Sequence, residues 1–198
     1  MNMHKLILTG FLVSGILAGC SQDETTIDSE KYVESIEDDS KGWIDAAPEV
    51  KEFLAALLDE VEKTPSGKYE QGYEQYLLAE KLTKGLGVGD YQLFENDNLD
   101  KDFANLLLIA KIISHEQFVR TSHIDGNGGA IDRIDLSDQW KPIQDSQLMA
   151  FDYMKQLLND LNVILNNGGE GSTFGVTYYQ DGENVAKMEQ DLQIGKVD

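Results

Sequence analysis

The segment NLDKDFANLLLIAKIISHEQFVR, residues 98–120, decides the fold. Leu99, Phe103, Leu106, Ala110 and Ile113 recur at three- and four-residue spacing and form one helical stripe. Leu107, Leu108, Ile109 and Ile112 nearly close the circle. A helix that is apolar all round is buried. The segment therefore reads as the central helix of a helical domain, capped by Asn96, Asp97 or Asn98.

Other helices flank it. Downstream, residues 122–135 read as a loop, and Trp140-Lys-Pro142 leads into a second long helix, about Asp145 to Asn166. Phe151, Met154, Leu158, Leu161 and Leu165 hold heptad spacing there, with Leu157 and Ile164 beside them. Asn167-Gly168-Gly169 is the natural stop. Upstream, Pro48 opens a helix whose Val50, Phe53, Leu54, Leu57, Leu58 and Val61 share a face, with Asp45 as a cap candidate. Thr64-Pro65-Ser66-Gly67 ends it. Tyr69 to Lys84 makes another helix, with Tyr69, Tyr73, Tyr76 and Leu77 on one face and Gly85 as its stop. Such a tyrosine stripe is more often an amphipathic seam than a ligand-stacking platform. A weaker pattern places Val33, Ile36, Ser40, Trp43 and Ala47 on one stripe.

The end of the chain is ambiguous. Phe174, Val176 and Tyr178 alternate as in a strand, with Asp181-Gly182 as a turn, whereas Val185, Met188 and Leu192 fit a short helix. The expected fold is mainly α: a compact bundle of four or five helices with a small irregular or β-like C-terminal appendix.

The start of the chain carries a different signal. Lys5 precedes an apolar run from Leu6 to Ala18, which is too short to span a membrane. A basic start, a brief apolar core and small residues before a cut site make a secretory signal. Leu17-Ala18-Gly19-Cys20 resembles the lipobox of bacterial lipoproteins. That resemblance implies a diacylglyceryl group on Cys20 and cleavage before it. It also accounts for the single cysteine of the chain. Two acyl chains, at about 0.8 kcal/mol per buried methylene, suffice for stable anchoring. Ser21 after the cysteine implies the outer membrane in a two-membrane host. In a one-membrane host the place is the outer face of the cell membrane. The expected organisation is a signal peptide over 1–19, a lipidated cysteine with a flexible acidic tether over 20–28, and a single helical domain over 29–198.

Sixteen Lys and Arg stand against 36 Asp and Glu, a net charge of −20. Such a surface repels phosphate backbones and anionic headgroups, so nucleic acid is excluded as a partner and the lipid alone should touch the membrane. The acidity reads first as solubility on a crowded cell surface, and in functional terms as attraction for cations or a basic partner.

Chemistry is sparse. The loop from His123 to Asp135 offers Asp125, Asn127, Asp132 and Asp135 as hard oxygen ligands, with Gly126, Gly128 and Gly129 for tight turns. Calcium takes six to eight such oxygens, so these four are the candidate metal ligands and calcium the one candidate cofactor. The spacing is not that of an EF-hand, and turn-capping aspartates explain the loop equally well. Gly85 to Gly89 lacks the Gly-Lys-Ser/Thr ending of a phosphate loop. His115 has no second histidine at zinc-protease spacing, and Ser122, His123 and Asp125 are sequence neighbours rather than a spatial triad. A hydrolase would need His115 or His123 buried in a cleft beside carboxylates, so no catalytic residue is assigned. The sequence thus points to an envelope-anchored lipoprotein that acts as a protein-interaction or accessory module at the cell surface. The competing reading is a small-ligand- or calcium-binding lipoprotein, with its cleft near residues 122–135 and aromatics such as Tyr76 and Trp140.

Overall fold

The computed structural model describes residues 48–64, 69–86 and 96–194. Cys20, the leader, the tether and the amphipathic stretch at 29–46 lie outside the described residues.

Four long helices account for most of the fold: α1 (Pro48–Lys63), α2 (Tyr69–Leu86), α3 (Asp97–Thr121) and α4 (Asp145–Asn166). Contacts show that successive helices run antiparallel. Glu60 and Phe53 of α1 meet Lys81 and Gly85 of α2. Glu80 and Gly72 of α2 meet Ser114 and Arg120 of α3. Glu116 of α3 accepts from Ser146 near the start of α4 at 2.8 Å. Asn166 at the end of α4 closes the ring by donating to the Lys51 carbonyl at 3.1 Å. The result is an up-and-down bundle with each helix beside two others, the arrangement that short connections favour.

The core follows the sequence stripes. Leu54, Leu57 and Val61 of α1, Leu99, Leu106, Ala110 and Ile113 of α3, and Met154, Leu158 and Leu161 of α4 are all fully buried. The start of α3 is set by Asn96, whose side chain accepts the N–H groups of Asn98 and Leu99.

Three expectations change. First, α3 is one wall of a four-helix ring and not a fully enclosed axis, so Leu108 is 41% exposed. Second, α2 continues past Gly85 to Leu86. An added Cβ at Gly85 would lie 2.3 Å from the Phe53 ring, so this glycine serves close helix packing rather than termination. The buried face of α2 carries Gln75, Tyr76, Leu78, Ala79 and Leu82, while Leu77 is exposed. Third, the alternation at 173–179 does not make a strand; among the described residues there is none. That stretch is an irregular strap leading into a short helix, α5 (Val185–Asp191), which lies over the outer groove between α3 and α4. Among the described residues no helix is long and apolar enough to cross a membrane.

Candidate functional site

Two regions gather polar chemistry, one at each end of the α3/α4 pair. The first is the connection from α3 to α4, where the predicted cation ligands lie. A chain of turns folds it back on the bundle, ending in a 3-10 helix, Ile134–Gln139. Asp125 spends its carboxylate inside its own loop. Its two oxygens accept the N–H groups of Asn127 (2.9 Å) and Gly129 (3.1 Å). A Cβ at residue 129 would sit 2.4 Å from that carboxylate, which is why glycine stands there. Asp132 turns the other way and accepts from the Tyr76 hydroxyl at 2.9 Å, while its carbonyl accepts from Tyr73 at 3.3 Å. Asp135 is held by the Arg133 guanidinium through bonds of 2.8 and 2.6 Å, which keep its carboxyl below the usual range. Asn127 is exposed. The four predicted ligands therefore belong to one loop, but three of them face separate protein partners. Among the described residues no group of three or more His, Cys, Asp or Glu is placed to hold a metal.

Behind this loop lies a polar layer that the sequence did not announce. Arg120 is fully buried. Its Nε donates to the Lys141 carbonyl at 3.1 Å, its Nη1 to Gln117 at 2.6 Å, and its guanidinium lies 5.5 Å from the Trp140 ring centre. Trp140 in turn packs on Tyr73, ring centres 5.4 Å apart. Gly72 makes room: a Cβ there would fall 2.3 Å from Arg120 Nη1. Burial raises the Tyr76 hydroxyl far above its normal range, and its bond to Asp132 adds to this, so Tyr76 is a fixed donor rather than an acid. The layer is a structural plug: Tyr76 and Trp140 are almost wholly buried. The two histidines here do not enter it. His115 is exposed on α3, and exposed His123 meets the Gln139 carbonyl at 2.8 Å.

The second region is the seat of the strap. Asp102 of α3 and Asp160 of α4 are both fully buried. Asp160 accepts the N–H groups of Phe174 (2.8 Å) and Val176 (3.0 Å), and Asp102 those of Tyr178 (2.6 Å) and Tyr179 (3.1 Å). Two carboxylates thus replace the partner strand that an extended chain otherwise needs. Burial pushes Asp102 up to about 6, against the pull of those two backbone N–H groups, with Asp160 and Glu189 adding to the rise. α5 is fixed by Glu189, which takes bonds from Asn105 (3.1 Å) and Tyr178 (2.7 Å). A sequence signal did exist: Asp102 and Asp160 interrupt apolar stripes, three and four residues from buried leucines and isoleucines.

Beyond the end of α5 the groove stays open. Leu108 and Met149 are 41% and 36% exposed, and Ile112 is partly covered. The Glu116–Ser146 bond sets the register that puts Ile112 and Met149 one turn further along their facing helices. No family model, curated protein or solved structure matches the chain.

Proposed function

We propose that this chain is an envelope-anchored lipoprotein whose helical domain acts as a protein-interaction or accessory module at the cell surface. The anchor is Cys20, read from its lipobox-like context. The observation that supports an interaction role is the open part of the α3/α4 groove. Leu108, Ile112 and Met149 offer apolar area on a domain whose chain carries a net charge of −20. Apolar surface gives affinity, and surrounding charge selects the partner. The fitting occupant is a protein with a small apolar face ringed by lysine and arginine.

The test places a photo-crosslinking residue at position 108, or at exposed Glu52 on α1 as a control, in cells of the native host. Each is made with Cys20 intact and in a form exported without Cys20. The expected result is one protein captured from position 108, far less from position 52, and only from the anchored form. Purified, that protein should bind the domain in a salt-sensitive way. Cys20→Ala should release the chain from membranes or block its maturation. Equal capture at both positions, or none from a folded and anchored protein, refutes the interaction role. If millimolar calcium then raises the melting temperature, Asp125, Asn127, Asp132 and Asp135 become the place to look.

A further inference from the structure

The strap has the parts of a device that opens. It joins α4 through Asn167-Gly-Gly-Glu-Gly-Ser-Thr173, in which Gly168, Gly169 and Gly171 all have positive φ. Nothing lies within 4 Å of the place a Gly169 Cβ would occupy. Such a linker turns on glycine torsions; what it must release is the approach of Gly171 to Val163, the Gly169 N–H bond to the Val163 carbonyl and the Asn159 bond to the Ser172 carbonyl. Past it, the strap holds two non-glycine residues at positive φ, Asp181 and Gln193. Its helix is short; the strap buries Val176, Thr177, Val185 and Met188 and rests Tyr179, Leu192 and Ile194 partly against the core, fewer buried side chains than any of the four long helices. Segments with few buried contacts open before the rest of a fold does.

What closes the strap is a pair of dry carboxylates. Asp102 and Asp160 hold four of its backbone N–H groups, and among the described residues neither carboxylate is ion-paired. The groups that face Asp102 come from every element around it. Asp160 comes from α4, Glu189 from α5, and the Tyr178 hydroxyl group from the strap. The cation nearest in sequence, Lys101, places its ammonium 5.2 Å above the Tyr178 ring centre. Buried, and with two other acids facing it, Asp102 ionises less readily here than in solvent.

We propose that the strap is a pH-responsive latch on the α3/α4 groove, tight while Asp102 carries a proton and slack once that proton is lost. With Asp102 neutral, its repulsion from Asp160 and Glu189 disappears and its own charge is no longer kept out of water. Its carbonyl oxygen remains an acceptor for the strap. The direction follows from linkage. The closed strap raises Asp102 to about 6, whereas an opened strap returns it to the ordinary carboxylate range near 3.8. The closed state therefore holds more protons between those values. Closure strengthens as pH falls into that window and weakens as pH rises through it. Above the window the weakening is complete and constant. A lifted strap would join its own seat to the open patch at Leu108, Ile112 and Met149. That consequence rests on the proposed interaction role; the latch itself does not.

Hydrogen exchange followed by mass spectrometry on the full chain reads the latch without any partner. After correction for intrinsic exchange, the opening equilibrium of peptides within 174–194 should rise about tenfold from pH 5 to pH 7.5, with no matching change in buried amides of α3 and α4. Asp102→Asn should flatten that slope. A pH-independent strap, or an unchanged slope in Asp102→Asn, overturns the proposal. Should Asp102→Asn fail to fold, Glu189→Gln removes one facing charge and keeps a carbonyl oxygen for Asn105 and Tyr178. It should reduce the slope, and a slope equal to that of the parent overturns the latch.

Discussion

Replacing Gly72 by alanine tests the polar layer of the bundle, because two effects of opposite sign compete there. Alanine in a helix interior is favoured over glycine by about 1 kcal/mol. Acting alone, this would stabilise α2. The new Cβ, however, would lie 2.3 Å from Arg120 Nη1 and 3.0 Å from Ile143 Cδ1. A flexible arginine at the surface would swing aside. Arg120 is fully buried, and its guanidinium is held by the Lys141 carbonyl, by Gln117 and against Trp140. Moving it loosens hydrogen bonds to a charged group, each of about 1.5–3 kcal/mol. Net destabilisation of about 2 kcal/mol is expected, a fall in melting temperature of roughly 4–8 °C. Thermal and urea unfolding followed by far-ultraviolet circular dichroism measure it. Gly126→Ala is the control, since nothing lies within 4 Å of its added Cβ and it is exposed. If Gly72→Ala is as stable as the parent or more so, Arg120 is not fixed in the way described.

Two other outcomes follow from burial. Leu106 is fully buried and Leu108 is 41% exposed; Leu106→Ala should cost about 2–5 kcal/mol by leaving a cavity and Leu108→Ala less than about 0.5 kcal/mol, measured by urea unfolding. Similar costs for the two would contradict the orientation of α3. Asp160→Ala removes the acceptor of the Phe174 and Val176 N–H groups. Each stranded donor costs about 1–3 kcal/mol, so limited proteolysis should cut first within 167–194, leaving a helical core; unchanged resistance would show that the strap is held by its apolar contacts.

The sequence disclosed the bundle because its apolar stripes are long and regular. Val50 to Val61, Leu99 to Ile113 and Phe151 to Leu165 all pack inward where their spacing puts them. Pro48 marks a helix start by its fixed φ at the first helical position, and Asn96 by capping hydrogen bonds. What escaped was set by contacts distant in sequence. Gly85 looked like a stop because a glycine after a helical run usually is one, yet its role depends on Phe53 in another helix. Leu108 looked enclosed along with its neighbours because composition cannot say which flank of a helix lacks a neighbour; Ile109 is buried as expected. The strap was ambiguous because Phe174, Val176 and Tyr178 alternate as in a strand, yet Phe174 is exposed, Thr177 is buried, and the backbone N–H groups go to Asp102 and Asp160, which alternation does not reveal. The partners of Asp132 and Asp135 come from α2 and from Arg133, which spacing alone does not reveal.

The two ends of the α3/α4 pair solve one problem in opposite ways. Each end must bury polar groups where helices meet irregular chain. At the Arg120 end a cation is enclosed by a carbonyl, an amide and the Trp140 ring, which Tyr73 backs from α2. A guanidinium stays charged at any ordinary pH, so that end is insensitive to acid. At the Asp102 end the enclosed charge is a carboxylate, its partners are backbone N–H groups, and the enclosing chain hangs on glycines. A carboxylate raised to about 6 changes charge under mild conditions. The permanent charge therefore sits beside the rigid connection, and the removable one beneath the movable strap. In a fold whose remaining stability comes from leucine packing, the strap is the element whose position the surroundings are able to set.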